Sequence, residues 1–211
     1  MSKYNSFYEL LHGAESIPHT AHLVENFSGD DLDIRWTETD IQGTNTFATN
    51  DNIDGGLIGT TGSGNNDRER IDFNGIRQYE YDNATMICSI RRDTASGVPQ
   101  CGFGQDGVDA IATNTTTHRA NVRDVTTFKR LETCDGSVFS PTDSVIDGDL
   151  NFTSYKLEMN TSNIQMFITG TLEVTKTANL PSVRLQPFFQ VSTGTTASNT
   201  CSIRYMECYN K

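Results

Sequence analysis

The strongest constraint on the fold is an alternation of apolar and polar residues between positions 155 and 174. Apolar side chains take every second position in three successive segments: Tyr155, Leu157 and Met159, then Ile164, Met166 and Ile168, then Leu172 and Val174. A β-strand turns successive side chains to opposite faces, so this period of two indicates strands with one face in a core. Turn residues at 160–163 and 169–171 join the three segments into a predicted β-meander.

Short strand-like segments also recur through the rest of the chain, separated by residues rich in Gly, Asn and Asp. The predicted strands are 33–39, 44–49, 56–61, 75–81, 84–92, 99–105, one or two within 121–133, 185–192 and 201–209. Threonine, which favours strands over helices, supplies 28 of the 211 residues. The pattern predicts an all-β fold, an antiparallel two-sheet jelly-roll sandwich, with a closed barrel as the competing architecture.

The first 22 residues are predicted to form an N-terminal arm, and residues 23–211 the sandwich. A short helix is expected at 5–13, because Asn5 can cap it and Gly13 can end it. Its apolar face consists of Phe7, Leu10 and Leu11. This face either packs on the chain's own sandwich or docks on a partner chain.

The charge and hydropathy of the chain exclude several function classes. The formal net charge is −11, with 16 basic residues that are scattered along the sequence, so no nucleic-acid partner is expected. No run of 18 apolar residues is present, so no membrane insertion is expected. The first 13 residues also lack the apolar region of a secretory signal, which predicts that the chain is not exported by that route.

The cysteines and acidic clusters give no firm sign of a cofactor. Five cysteines without a secretory signal are expected to be free, buried thiols. Cys201 and Cys208 lie seven apart in one predicted strand and should face opposite ways. Hard oxygen ligands cluster at 30–33, 50–54 and 143–149; they either form turns or bind calcium. No cofactor is predicted, with Ca²⁺ as the open alternative.

Several runs of residues resemble a known fold family. The stretch 25–36, with Trp36 and a following Gly55-Gly56-Leu57, is similar to the first two strands of concanavalin A-like sandwiches of the laminin-G/laminarinase type. The runs 154–174 and Leu180-Pro181 resemble their later strands, and 185–191 with 203–210 resembles the closing pair. A Thr/Asn-rich sandwich behind a short arm also resembles structural proteins of phage or archaeal virus particles.

The resemblance implies a test for catalysis, because the hydrolases of this fold place carboxylates on one strand as E-x-D-x-E or E-x-D-x-x-E. No such run exists here; Glu80-Tyr81-Asp82 lacks the second glutamate. The sequence therefore predicts no enzyme but a virion structural protein, such as a capsid decoration, fibre or spike subunit. It would assemble in the host cytoplasm and sit at the virion surface, bound to copies of itself and to other virion proteins.

The alternative prediction is a stand-alone lectin-like carbohydrate-binding module. In that reading a host glycan contacts Tyr79 and Tyr81. The two functions can coexist, because a virion subunit can also adsorb to host sugars. Trp36 is expected in the core, with sugar stacking as its alternative role.

Overall fold

The structure, a computed structural model, describes residues 21–27, 32, 34–49, 56–64, 67–105, 117–193 and 195–211. In these ranges the chain forms β-strands and turns and no helix. The strands are β1 (His22–Glu25), β2 (Thr37–Gln42), β3 (Thr46–Thr49), β4 (Leu57–Thr60), β5 (Arg68–Asp72), β6 (Ala84–Arg92), β7 (Gly97–Gly104), β8 (His118–Val125), β9 (Phe128–Asp135), β10 (Phe139–Asp143), β11 (Thr153–Asn160), β12 (Asn163–Ile168), β13 (Thr171–Lys176), β14 (Gln186–Thr193) and β15 (Thr200–Asn210).

The strands form two antiparallel sheets packed face to face. The eight-stranded sheet has the order β13-β12-β11-β6-β15-β4-β3, with β1 also paired to β15. The seven-stranded sheet has the order β10-β9-β8-β7-β14-β5-β2. Neighbours in the chain are often neighbours in a sheet, but β14 and β15 insert into the middle of different sheets. The predicted antiparallel sandwich is confirmed.

The core lies between the two sheets and follows the alternation seen in the sequence. On β11, Tyr155, Leu157 and Met159 are buried. The residues that lie beside them on β12 and β6 are buried as well. Trp36 is also in this core, with its ring centroid 4.8 Å from that of Phe73. Each fully buried large apolar side chain contributes about 1.5–3 kcal/mol, so this layer dominates the stability of the sandwich.

Two polar strands of the seven-stranded sheet differ from the sequence prediction. β5 and β10 were not expected, because β5 is mostly charged and β10 contains Pro141. β10 is an edge strand, where a proline costs no ladder hydrogen bond on its open side. Residues 75–81 were expected to be a strand, but they contribute only an isolated bridge between Tyr79 and Leu185.

A β-bulge in β15 overturns the expected orientation of two cysteines. The pairing with β6 passes from Ile203 to Tyr205 and skips Arg204. The extra residue shifts the alternation by one, so Cys201 and Cys208 both point into the core. All five cysteines are buried and none forms a disulfide, as the sequence predicted.

A buried ionic cluster ties the two sheets together at one end of the core. Asp124 on β8 is fully buried and accepts hydrogen bonds from Arg92 Nε at 3.2 Å, Lys129 Nζ at 2.9 Å and Tyr155 Oη at 2.9 Å. Arg92 and Tyr155 belong to the eight-stranded sheet, whereas Lys129 belongs to the seven-stranded sheet. One carboxylate therefore contacts both layers of the sandwich.

Some predictions fall on residues outside the described ranges. These are the helix at 5–13, the docking face Phe7, Leu10 and Leu11, and most of the acidic clusters at 30–33 and 50–54. The division between an arm at 1–22 and a sandwich at 23–211 stays a prediction, as does docking by the arm. In the described part of the chain, no helix combines the length and apolarity that crossing a membrane requires.

Replacing Asp124 with alanine is expected to lower the free energy of unfolding by about 3–5 kcal/mol, because Arg92 and Lys129 would stay buried without their carboxylate. Urea unfolding followed by the fluorescence of Trp36, the single tryptophan, measures the change. The control is Glu80→Gln, which removes an exposed ion pair with Arg184 and should cost less than about 1 kcal/mol. Equal losses in the two variants would contradict the role given to Asp124.

Candidate functional site

The candidate site is the face of the seven-stranded sheet that points away from the core, called here the outer face. Cross-strand registers arrange its side chains in three rows. The middle row is Thr37, Asp72, Phe188, Gly102, Asn121, Glu132 and Pro141. On one side lie Thr39, Arg70, Gln190, Gln100, Arg123, Arg130 and Asp143, and on the other Gln186, Gly104, Arg119, Cys134 and Phe139.

Strand β8 shows why these side chains share a face. Ala120 and Val122 point into the core, so their neighbours Arg119, Asn121 and Arg123 must point outward. The outward residues are nevertheless shielded from solvent, with Arg119 and Asn121 at 0% exposure. Charged and polar groups thus occupy a site of low effective dielectric constant, where electrostatic interactions are strengthened.

Glu132 is the carboxylate at the centre of this polar group. It lies on β9 directly opposite Asn121 and is 0% exposed. Asn121 Nδ2 donates to its Oε2 at 3.1 Å, and Arg123 Nη1 lies 3.2 Å from its Oε1. Both carboxylate oxygens are therefore held in place by the neighbouring strand.

Among the described residues, no carboxylate is bound to Arg119 in this way. Its Nε, Nη1 and Nη2 atoms are all buried without a hydrogen-bond partner, and its guanidinium carbon lies 4.8 Å from the ring centroid of Phe139. Burial lowers the pKa of Arg119, although the negative charge of Glu132 opposes that shift. The guanidinium keeps its charge, since even a lowered arginine pKa stays far above neutral pH.

Other polar atoms on the outer face also lack hydrogen bonds. They are Gln100 Nε2, Asn121 Oδ1 and Arg123 Nε, on strands β7 and β8. An unsatisfied buried polar group costs roughly 1–3 kcal/mol, so a concentration of them at one place calls for an explanation. A ligand rich in hydroxyl groups would supply the missing donors and acceptors.

The middle of the outer face has no side chains over β7. Gly102 and Gly104 occupy the positions between Phe188 and Gln186 on one side and β8 on the other. A Cβ on Gly102 would lie only 2.3 Å from the carbonyl oxygen of Ala120, so this position requires glycine. The backbone of β7 at these two buried glycines forms a floor that is flanked by the ring of Phe188 and by the polar residues of β8.

The rows of the outer face contain three carboxylates, those of Asp72, Glu132 and Asp143. Glu132 and Asp143 lie close to each other. Asp72 and Glu132 are separated by four strand spacings, or about 19 Å at about 4.8 Å each. Glu132 faces Pro141 on β10, so Asp143 is its diagonal neighbour, with about 7–8 Å between the Cα atoms of the two residues. Asp143 is held by Arg130, whose Nη2 donates to Oδ2 at 3.2 Å.

The structure separates the two tyrosines expected to contact glycan from the outer face. Tyr79 is buried in the core against Phe103, with its ring centroid 5.1 Å away, and burial raises the pKa of its hydroxyl well above the usual range. Stacking on a sugar would need its ring to leave the core.

Tyr81 is 36% exposed. A groove of about 480 Å³ lies near it, lined by Ala21, Arg77, Gln78, Glu80, Asn83, Arg184, Asn210 and Lys211. Glycan contact by either tyrosine stays a prediction.

Sequence reasoning missed the residues of the outer face. The signal was present at 119–123, where Arg, Asn and Arg alternate with Ala and Val, but the predicted strand began only at 121.

The acidic side chains of the cluster at 143–149 do not converge on one point. Asp143 binds Arg130, and Asp149 Oδ1 lies 3.9 Å from Lys129 Nζ. Among the described residues, no group of three or more His, Cys, Asp or Glu side chains is placed to hold a metal ion.

His118, at the start of β8, is expected to make the free energy of unfolding depend on pH. Burial lowers its pKa, with the charge of Asp135 opposing and that of Arg77 adding to the shift. Its Nδ1 accepts a hydrogen bond from the Ser182 amide at 3.3 Å, which requires an unprotonated nitrogen.

The folded state thus binds this proton less readily than the unfolded chain, whose histidine pKa is about 6.5. We expect the free energy of unfolding to fall as the pH drops below about 6.5, and to fall less in His118→Asn. Urea unfolding at pH 7.5 and 5.5 for both proteins measures this. The same pH dependence in the two proteins would contradict it.

Comparisons with known proteins give the fold and no family assignment from sequence. No family model and no curated protein matches the chain. Among solved structures, the β-glucanase of Bacillus licheniformis is 10% identical, with a TM-score of 0.66 over 92% of this chain and 100% of that one. A glycoside hydrolase family 16 endo-glucanase from Bacteroides ovatus is 12% identical, with a TM-score of 0.65 over 89% and 99%. A protein of unknown function from Shewanella oneidensis MR-1 is 12% identical, with a TM-score of 0.69 over 99% and 93%.

These neighbours confirm one part of the sequence prediction and overturn another. The concanavalin A-like jelly-roll fold is confirmed, and it is the fold of family 16 β-glucanases. The prediction of a non-enzymatic virion structural protein is wrong, because several of these neighbours are glucan hydrolases that match over nearly their full length, and no viral context is shown. At 10–12% identity the likeness gives the fold alone, so any chemistry must come from this chain's own residues. The predicted partners and location stay untested.

Proposed function

We propose that this protein is a carbohydrate-active enzyme that hydrolyses a polysaccharide laid across the outer face of its seven-stranded sheet. The observation that carries the proposal is the group of buried polar side chains with unmet hydrogen bonds on β7 and β8. Its support is the fold, which this chain shares with β-glucanases across about nine-tenths of its length.

A saccharide suits this face for two reasons. Its hydroxyl groups both donate and accept, so they can satisfy Gln100 Nε2, Asn121 Oδ1 and Arg123 Nε together. Its ring also has an apolar side, which the ring of Phe188 next to Gly102 can cover. At Gly102 and Gly104 no side chain of β7 lies between the bound sugar and the backbone.

Glycosidic hydrolysis needs two carboxyl groups on opposite sides of the bond. About 5–5.5 Å between them suits a retaining mechanism, and about 6.5–9.5 Å suits an inverting one. Glu132 and Asp143 are diagonal neighbours whose Cα atoms lie about 7–8 Å apart, and we assign the inverting mechanism to this pair because the two carboxyl groups come from different strands. One carboxylate takes a proton from a water that bonds to the anomeric carbon, while the other carboxylic acid gives a proton to the departing glycosidic oxygen. The E-x-D-x-E strand of the hydrolases is replaced here by two neighbouring strands.

The substitution Glu132→Gln is expected to lower kcat by at least about 10²-fold, because it removes the acid or base of the reaction while keeping the side chain's shape. Release of reducing ends from a panel of neutral and acidic polysaccharides provides the assay. The matched control is Glu158→Gln on the opposite sheet, whose carboxylate pairs with Lys156 and Lys211 and should leave kcat unchanged.

Melting curves of the variants check that each is folded. Binding of a polysaccharide without release of any product by the unaltered protein would contradict the proposed hydrolysis. Full activity in Glu132→Gln would contradict the assignment of that residue.

The spacing of Glu132 and Asp143 also predicts the stereochemistry of the product. The first sugar released is expected to have the inverted anomeric configuration, which proton NMR of the fresh reaction mixture detects before mutarotation. Asp143→Asn is expected to lower kcat as strongly as Glu132→Gln. A product of retained configuration would show that this pair is not the catalytic one.

A further inference from the structure

The charges at the centre of the outer face do not balance. Strand β8 places Arg119 and Arg123 there, and Glu132 is the carboxylate that β9 places on the same face, opposite Asn121. Arg123 and Asn121 bind both oxygens of that carboxylate. The neighbouring cations are paired as well, since Arg70 lies 2.6 Å from Asp72 and Arg130 binds Asp143. Among the described residues of this face, Arg119 is the cation that has no carboxylate bound to it.

The surroundings of Arg119 suit an incoming anion. The guanidinium is 0% exposed and none of its three nitrogens has a hydrogen-bond partner. Phe139 covers it on one side, and on the other its register partner is Gly104, which has no side chain. A planar guanidinium with free N–H groups binds carboxylates and sulfates through two parallel hydrogen bonds. Such a bond in a site shielded from water is stronger than the same bond at the surface.

We propose that the polysaccharide bound on the outer face is anionic, and that Arg119 binds its acidic substituent, a carboxylate or a sulfate ester. This inference rests on the proposed carbohydrate function of the same face and names its substrate class. The acidic group lies over Gly104, beside the sugar whose ring covers the floor at Gly102. A neutral glucan leaves the guanidinium without a partner and therefore binds more weakly.

The test measures binding by isothermal titration calorimetry, with three probes of matched length. These are oligogalacturonate for the carboxylate, a carrageenan oligosaccharide for the sulfate, and a mixed-linkage β-glucan oligosaccharide as the neutral ligand. The proposal expects at least one anionic probe to bind at least tenfold more tightly than the neutral one. Which anionic probe binds distinguishes a carboxylate from a sulfate.

Arg119→Gln should weaken that binding at least tenfold, and Arg119→Lys should retain part of it. The matched control is Arg204→Gln, which removes the same charge from an exposed position on β15 in the other sheet and should leave binding unchanged. Because Arg119 is buried and unsatisfied, Arg119→Gln should melt at the same or a higher temperature than the unaltered protein. If it fails to fold, Arg119→Lys alone tests the contact.

The outcomes separate this inference from the proposed hydrolysis. Tight binding of an anionic probe that depends on Arg119 supports the inference even where no product is released, although the hydrolase proposal then fails. Cleavage of the neutral glucan, with no preference for either anionic probe, overturns the inference and leaves the hydrolase proposal intact. An equal loss of binding in the Arg119→Gln and Arg204→Gln variants also overturns it, because it would show a non-specific charge effect.

Discussion

The bonds made by Asp124 hold the sandwich in one arrangement. This fully buried carboxylate binds a guanidinium and a hydroxyl from one sheet and an ammonium from the other. Apolar packing alone tolerates small slips between two sheets, but a buried charge with three fixed donors does not, since every lost bond leaves a charge unpaired in the interior. Asp124 therefore fixes, together with the apolar core, the position of β8 relative to the eight-stranded sheet.

The position of β8 in turn defines the outer face. Asp124 points to the same side of β8 as Ala120 and Val122. Holding Asp124 in the core therefore keeps Arg119, Asn121 and Arg123 on the outer face. A slip of one residue would exchange the two sets and bury three polar side chains in the core. Stability and the proposed function thus depend on the same alternation along β8. The residues on one side of the strand pack in the core, and those on the other side form the candidate site.

The positions of the candidate carboxylates explain why the sequence predicted a non-enzymatic protein. The hydrolases of this fold carry their carboxylates on one strand as E-x-D-x-E, and this chain has no such run. In the structure the candidate carboxylates, Glu132 and Asp143, lie on β9 and β10, eleven positions apart in the chain. Such a pair has no local spacing that a motif could capture, since it is the antiparallel register that brings the two residues together.

The sequence by itself determined the all-β class, the meander of β11 to β13, the burial of Trp36 and the five buried thiols. Each of these follows from local periodicity or from residue type, which act over a few residues. The tertiary structure decided the order of strands in the sheets, the bulge at Arg204 that turns Cys201 and Cys208 the same way, and the gathering of Glu132, Asp143 and Arg119 on one face. These features depend on hydrogen-bonded pairing between segments far apart in the chain, and the energies that select one pairing arise only when both sheets bury their apolar faces together.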